Sequence, residues 1–86
     1  MEIKKDLIKR DVAGDIILVP VGKTVYDSNG LFVLNSMGSF LWDRLPQAES
    51  EEDLLLAVLE KYDVTREIAA RDIATFLEKL RQMNIL

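Results

Sequence analysis

Cysteine and histidine are both absent from this chain of 86 residues. Their absence removes disulfides, thiolate nucleophiles, imidazole bases and the commonest zinc ligands. The serines at positions 36, 39 and 50 therefore have no histidine to activate them, and no glycine-rich phosphate loop is present. We expect no catalytic residues, no metal and no cofactor.

Long apolar runs are also missing. No window approaches the roughly 20 apolar residues that a membrane-spanning helix needs. The first six residues, Met1–Asp6, lack the apolar run of a secretory signal peptide. We therefore expect no membrane-spanning role and no membrane partner. The absence of cysteine fits a reducing compartment, and together with the missing signal peptide it predicts a cytoplasmic protein.

Basic residues are too few for a typical nucleic-acid-binding domain. Eleven Lys and Arg stand against fifteen Asp and Glu, which gives a formal net charge of -4. Proteins that bind nucleic acid usually carry a basic patch that neutralises phosphates, and none is visible. The acidic run at 49–53 matches no metal-binding loop and suits the positive end of a helix dipole.

The chain nevertheless has enough apolar material for a core. Apolar residues make up 49% of it and charged residues 30%, with no low-complexity tract and no Gly/Ser linker. We therefore predict one folded domain over residues 1–86.

The first part of the chain has the pattern of three strands. Leu7–Val12 and Ile16–Val21 flank a short turn, and a turn cluster at Asp27–Gly30 precedes a third strand, Leu31–Leu34. Three strands joined by short turns form an antiparallel meander, in which the last strand tends to lie at an edge.

Three helices are predicted after the strands. Asn35 or Ser36 caps the first helix, which ends after Leu45 before a proline, and Ser50 and Thr65 cap the others. The third helix should reach about position 83. The predicted inward positions are Met37, Phe40, Leu41 and Trp42 in the first helix, Leu55, Val58, Leu59 and Tyr62 in the second, and Ala69, Ile73, Phe76, Leu77, Leu80 and Asn84 in the third. The fold class is therefore α+β, and Leu54 and Leu56 are expected to add apolar surface beyond the core face.

The third strand is unusual because it is apolar on both faces. If Phe32 and Leu34 point to the core, period-two alternation places Leu31 and Val33 on the other face. An uncharged edge of this kind invites pairing. Three partners are open: an added peptide strand, the chain's own N-terminal segment, or a second copy in a homodimer.

Several segments resemble the PqqD-like family, named for pyrroloquinoline quinone biosynthesis protein D. The most specific is an aromatic-x-Leu-Asn-x-x-Gly-x-x-x-Trp string, matched at Phe32, Leu34, Asn35, Gly38 and Trp42. The resemblance extends to 14–18, to Asp53-Leu54 and to 72–80. Two departures are Phe32, where the family often has Tyr, and Asn84, where a glycine is common.

The resemblance implies a winged helix-turn-helix-like fold, with a three-stranded antiparallel sheet followed by a three-helix bundle. It implies a non-catalytic recognition element for ribosomally made, post-translationally modified peptides. In such proteins the leader of a precursor peptide adds to the third strand beside the third helix. A radical S-adenosylmethionine enzyme or another modifying enzyme then receives the peptide. The pathway is that of pyrroloquinoline quinone or of a related product.

The predicted peptide-binding residues follow from that placement. They are the strand residues Leu31, Phe32, Val33 and Leu34 and the helix residues Ile68, Asp72, Thr75 and Lys79. Trp42 is interpreted as a core anchor, Asn35 as a helix cap and Gly38 as a point of close packing. Two rival functions stay open: a winged-helix DNA-binding regulator, and an adaptor that binds only the modifying enzyme.

Overall fold

In the part of the chain that the structure describes, a three-stranded sheet is followed by three helices. The computed structural model describes residues 1–22 and 32–86. The strands are β1 (Leu7–Val12), β2 (Asp15–Pro20) and β3 (Phe32–Leu34), and the helices are α1 (Ser36–Arg44), α2 (Glu51–Lys61) and α3 (Arg66–Gln82), with a short 3-10 turn at Leu45–Gln47. This is the predicted α+β fold. The predicted turn at Asp27–Gly30 and the start of the third strand at Leu31 lie outside the described residues.

The sheet is antiparallel with the order β1-β2-β3, so β3 lies at an edge, as predicted. Val12 pairs with Asp15 across a two-residue turn. Both turn residues, Ala13 and Gly14, have positive φ angles of 53° and 87°. Such a turn matches the twist of the flanking strands, which explains the tight hairpin.

Polar side chains begin each helix at the predicted positions. Asn35, rather than Ser36, caps α1 and accepts a hydrogen bond from the Gly38 backbone N–H at 2.7 Å. Ser50 and Thr65 cap α2 and α3 in the same way. Because a cap satisfies an otherwise orphaned backbone donor, these three residues determine where each helix starts.

One core joins the sheet to the helices. It consists of apolar side chains from β2, β3, all three helices, the 45–48 connection after α1 and the C-terminal segment: Leu18, Leu34, Leu41, Trp42, Leu45, Ala48, Leu54, Leu55, Val58, Ala69, Ile73, Phe76, Leu77, Leu80 and Ile85. Trp42 is a core residue as predicted, with 8% of its surface exposed. The opposite face of the sheet is open, and Ile8, Val12 and Val33 are exposed there.

Two predictions about the helices were wrong. Leu54 is fully buried and belongs to the core, whereas only Leu56 is the extra apolar surface, at 52% exposed. Asn84 is not on the inward stripe of α3, because the helix ends at Gln82 and Asn84 has a φ angle of 59°. Asn84 N–H donates to the Arg81 carbonyl and Ile85 N–H to the Leu80 carbonyl, which is the Schellman pattern. Asn84 thus takes the left-handed position that glycine usually fills.

The N-terminal segment packs away from β3. The Lys4 backbone N–H donates to the Ile85 carbonyl at 2.7 Å, and the Met1 ammonium donates to the Leu45 carbonyl at 2.7 Å and to the Ala48 carbonyl. This segment therefore does not cover the edge strand, which removes one of the three partners left open by the sequence. Within 1–22 and 32–86, no helix is long and apolar enough to cross a bilayer.

Candidate functional site

The hydrogen-bonding direction of β3 can be read from its neighbours. The Val21 N–H donates to the Asp6 carbonyl at 2.9 Å, just beyond the Leu7–Pro20 pair. In an antiparallel ladder, successive residues of the middle strand bond alternately to the two neighbours. The odd residues of β2 therefore bond to β1, while Ile16 and Leu18 bond to β3.

Val33 consequently offers its backbone groups to a new strand. Its neighbours Phe32 and Leu34 pair with Leu18 and Ile16. The N–H and C=O of Val33 are directed away from the sheet, and its side chain is 64% exposed on the open face. No strand of the described chain pairs with this edge. An extended peptide can form two backbone hydrogen bonds at this residue.

A cleft of about 240 Å³ lies beside this edge. It is bounded by β3, by the start of α1 and by one side of α3, and its lining residues are Phe32, Val33, Leu34, Asn35, Met37, Gly38, Leu41, Asp72, Thr75, Phe76 and Lys79. The floor is aromatic and aliphatic. Phe32 and Phe76 meet edge to face there, with ring centroids 6.5 Å apart.

Gly38 lets α1 approach the cleft closely. A Cβ atom at this position would lie 3.2 Å from Asn35 Oδ1, 3.3 Å from Leu34 Cδ2 and 3.4 Å from Phe76 Cε1. These three atoms come from the cap, from β3 and from α3. Gly38 therefore sits where the three walls of the cleft converge, which confirms its predicted role in close packing.

The rim of the cleft carries two opposite charges on α3. Asp72 and Lys79 are both exposed and are seven residues apart, with Thr75 between them. The Asp72 carboxylate lies 4.0 Å from the Arg71 guanidinium, whereas the Lys79 ammonium has no ion pair within the described chain. The Thr75 hydroxyl donates to the Arg71 carbonyl at 3.0 Å. Lys79 is thus a cation ready for an external anion.

The structure brings six of the eight predicted site residues together around this cleft. They are Phe32, Val33, Leu34, Asp72, Thr75 and Lys79. Ile68 does not line the cleft; it lies one turn before Asp72 on α3 and is 41% exposed. Leu31 lies outside the described residues.

Other lining residues were not predicted as site residues. Asn35 and Gly38 were assigned to capping and packing, and Met37, Leu41 and Phe76 to the core. Each of these assignments is correct, yet the same side chains also form the wall of the cleft. The half-buried state of Met37 is visible only after α1 has been placed, because periodicity does not say where a core face ends.

A family model described as Coenzyme PQQ synthesis protein D (PqqD) matches residues 16–86. The chain belongs to the PqqD family. The match begins in β2 and runs to the last residue, so it includes β3, the cleft and all three helices. Among curated proteins nothing matches this PqqD family member.

Two solved structures share its fold. One is TbiB1 in complex with the TbiA(beta) leader peptide, with 24% identity, a TM-score of 0.75, and coverage of 100% of this chain and 94% of the other. The second is a lasso peptide synthetase B1 complexed with the leader peptide, with 21% identity, a TM-score of 0.71, and coverage of 94% and 89%. At these sequence identities, the similarity shows that this PqqD family member and the two solved structures have the same fold.

Proposed function

We propose that this chain is a non-catalytic peptide-binding protein. It binds the leader of a ribosomally made precursor peptide by strand addition at β3 and presents that peptide to a modifying enzyme. The observation that carries the proposal is the backbone of Val33, which no strand of residues 1–22 and 32–86 pairs on its outer side, beside a cleft with an aromatic floor. Strand addition needs a free edge for the backbone and a pocket for alternate side chains, and both occur here side by side.

Most of the binding free energy must come from side chains of the peptide that bind in the cleft. Two backbone hydrogen bonds at Val33 contribute about 2 kcal/mol in total. A micromolar complex requires about 8 kcal/mol. Burial of apolar side chains on the cleft floor, at about 1.5 to 3 kcal/mol each, supplies the larger share. The backbone bonds then set the register and the cleft selects the sequence.

The recipient enzyme is a radical S-adenosylmethionine enzyme or another peptide-modifying enzyme. This part of the proposal is supported by membership of the PqqD family, which is named for a protein of coenzyme PQQ synthesis. The final product is pyrroloquinoline quinone or a related modified peptide. The chain itself needs no cofactor for this work, and the cytoplasm, where precursor peptides are made, is the proposed location.

The charges of α3 speak against the DNA-binding alternative. Arg66 pairs with Glu52 at 2.6 Å and Arg81 with Glu51 at 3.7 Å. Arg71 lies beside Asp72, so three of the four basic side chains of this helix have an acidic neighbour. A helix that reads a DNA groove needs free cations for phosphates.

The test is a two-dimensional NMR titration of the labelled protein with a synthetic leader from the precursor peptide encoded nearest to it. We expect shifts concentrated on β3, on the start of α1 and on the 72–79 side of α3. Shifts confined to other surfaces would contradict the proposal. A separate binding assay with the modifying enzyme distinguishes the adaptor alternative, which predicts enzyme binding without peptide binding.

A further inference from the structure

The two rim charges of the cleft carry an inference about the peptide itself, and it rests on the proposed function. Asp72 and Lys79 stand on one side of α3, seven residues apart. At a rise of about 1.5 Å per residue, they are separated by about 10 Å along the helix. Between them lies the apolar floor, with Phe76 from α3 and Phe32 from β3 in edge-to-face contact. The cleft is therefore cationic at one end, apolar in the middle and anionic at the other end.

An extended peptide has a matching repeat. Residues on one face of a strand recur every second position, about 6.6 Å apart. An added strand that runs along α3 and places one side chain on the floor has two flanking side chains on the same face, about 13 Å apart, one near each charge. The flexible stem of Lys79 and a long charged side chain on the peptide take up the difference of about 3 Å.

We propose that the cleft selects a leader segment with an acidic, an apolar and a basic residue at alternate positions, the acid beside Lys79 and the base beside Asp72. Lys79 has the greater weight in this selection, because it lacks an ion pair in the described chain whereas Asp72 already lies near Arg71. Thr75 contributes little discrimination, since its hydroxyl proton is used within α3. Lys79 is thus a specificity-determining residue.

A displayed library of random twelve-residue peptides tests the proposal without a known ligand. The library is selected separately on the wild-type protein, on Lys79→Glu and on Lys4→Glu. Lys4 is exposed and outside the cleft lining, so its reversal makes the same change of net charge elsewhere. We expect wild type and Lys4→Glu to enrich an acidic residue two positions from an apolar one. We expect Lys79→Glu to enrich Lys or Arg at that position.

The strength of the charge contact is then measured on the best enriched peptide. Replacing its acidic residue by the neutral amide should weaken binding to wild type about two- to fivefold, as for an exposed ion pair. The same replacement should leave binding to Lys79→Glu unchanged or improved. The difference should shrink at high salt, because exposed charges are screened.

The outcomes separate this inference from the proposed function. Identical consensus sequences from wild type and Lys79→Glu, in peptides whose binding is weakened about fivefold or more by Val33→Pro, would overturn the charge selection and leave strand addition intact. Strand addition, and the charge selection with it, would be overturned if the enriched peptides bound Val33→Pro as tightly as wild type, or if no peptide were enriched on any of the three proteins.

Discussion

Gly38 shows how a single missing methyl group shapes the site. Its nearest neighbours would be 3.2 to 3.4 Å from an added Cβ, tighter than ordinary van der Waals contact, and all three are side-chain atoms. Gly38 is also a helical residue of α1, where alanine is intrinsically favoured by about 1 kcal/mol. In Gly38→Ala, the gain in helix propensity and the crowding of the new Cβ have opposite effects on the free energy of unfolding. Only the crowding changes the shape of the cleft.

We therefore expect Gly38→Ala to change the free energy of unfolding by less than about 1 kcal/mol while weakening peptide binding severalfold. Urea denaturation measures the first quantity and fluorescence anisotropy with a labelled leader measures the second. Ser36→Ala is the matched control, since it creates the same residue in the same helix outside the cleft lining. Equal effects of both variants on binding would contradict the close-packing role of Gly38.

Asn84 carries a second residue-scale prediction. It adopts a left-handed conformation with φ 59°, which places Ile85 in the core. Alanine in that conformation costs about 1 to 2 kcal/mol, while glycine adopts it freely. Asn84→Ala should therefore destabilise the protein by about 1 kcal/mol and Asn84→Gly should be neutral or slightly stabilising.

The measurement is the urea midpoint of each variant. Gln82→Ala serves as the control, because that exposed position lies in the helical part of α3 and alanine is favourable there. A loss of stability in Asn84→Gly equal to that in Asn84→Ala would show that the asparagine side chain, and not the backbone angle, matters at this position.

At the scale of elements, β3 is short and depends on β2 for one side of its hydrogen bonding. The backbones of Phe32 and Leu34 bond to β2, and the backbone groups of Val33 are directed outward, where a partner strand can bind. β1 has the same arrangement at the opposite edge, where Asp11 directs its backbone groups outward. The two edges thus provide equivalent positions, only one of which faces the cleft.

Proline at each edge position separates binding from stability. Val33→Pro removes one of the two outward hydrogen-bonding groups of β3, so we expect peptide affinity to fall about fivefold or more, corresponding to the loss of about 1 kcal/mol. Asp11→Pro removes the equivalent donor at the other edge and should leave affinity unchanged. Far-ultraviolet circular dichroism should retain the helical signal in both. Loss of helix in Val33→Pro alone would indicate that its N–H bonds within the sheet.

Much of this arrangement could be predicted from the sequence. The bounds of β1 agree residue for residue, and helices begin after Ser50 and Thr65, whose side-chain oxygens accept hydrogen bonds from backbone N–H groups. These features depend on local chemistry, which the sequence displays directly. Leu54 was misplaced because α2 is apolar over the six consecutive residues 54–59, and the pattern alone does not say which of them turn inward.

The candidate site was predicted less completely than the fold. Val33 and Lys79 could be placed at an edge and on a helix face, but the cleft wall formed by Met37 and Gly38 depends on the packing of α1 against α3. That packing joins residues about 40 positions apart in the chain and has no local signature. Ile68 fits the same helical spacing as Asp72, yet the cleft ends before reaching it.

For the whole molecule, the decisive feature is a single core shared by the sheet and all three helices. Leu18 of β2 and Leu34 of β3 are buried together with side chains of α3. Within the described residues, the sheet contributes only these two residues to the buried core and packs on the helices through them, and small domains of this type unfold in one cooperative step.

We therefore predict one unfolding transition for residues 1–86. Trp42 is the only tryptophan and is buried, so its fluorescence reports on the core, while circular dichroism reports on the helices. The urea midpoints from the two probes should coincide. Separate midpoints would indicate that the sheet and the helices are independent units.

The bond between the Lys4 N–H and the Ile85 carbonyl has a consequence for how this module can be built into larger proteins. Lys4 and Ile85, which lie near the two ends of the chain, are about 5 Å apart, the spacing of neighbouring strands. Insertion of this unit into a loop of a host protein would keep these two residues together, although it converts the Met1 ammonium, a donor to the Leu45 and Ala48 carbonyls, into an amide N–H. Circular permutation that joins the two ends through a short linker should likewise leave the β3 edge intact, because both ends lie away from that strand.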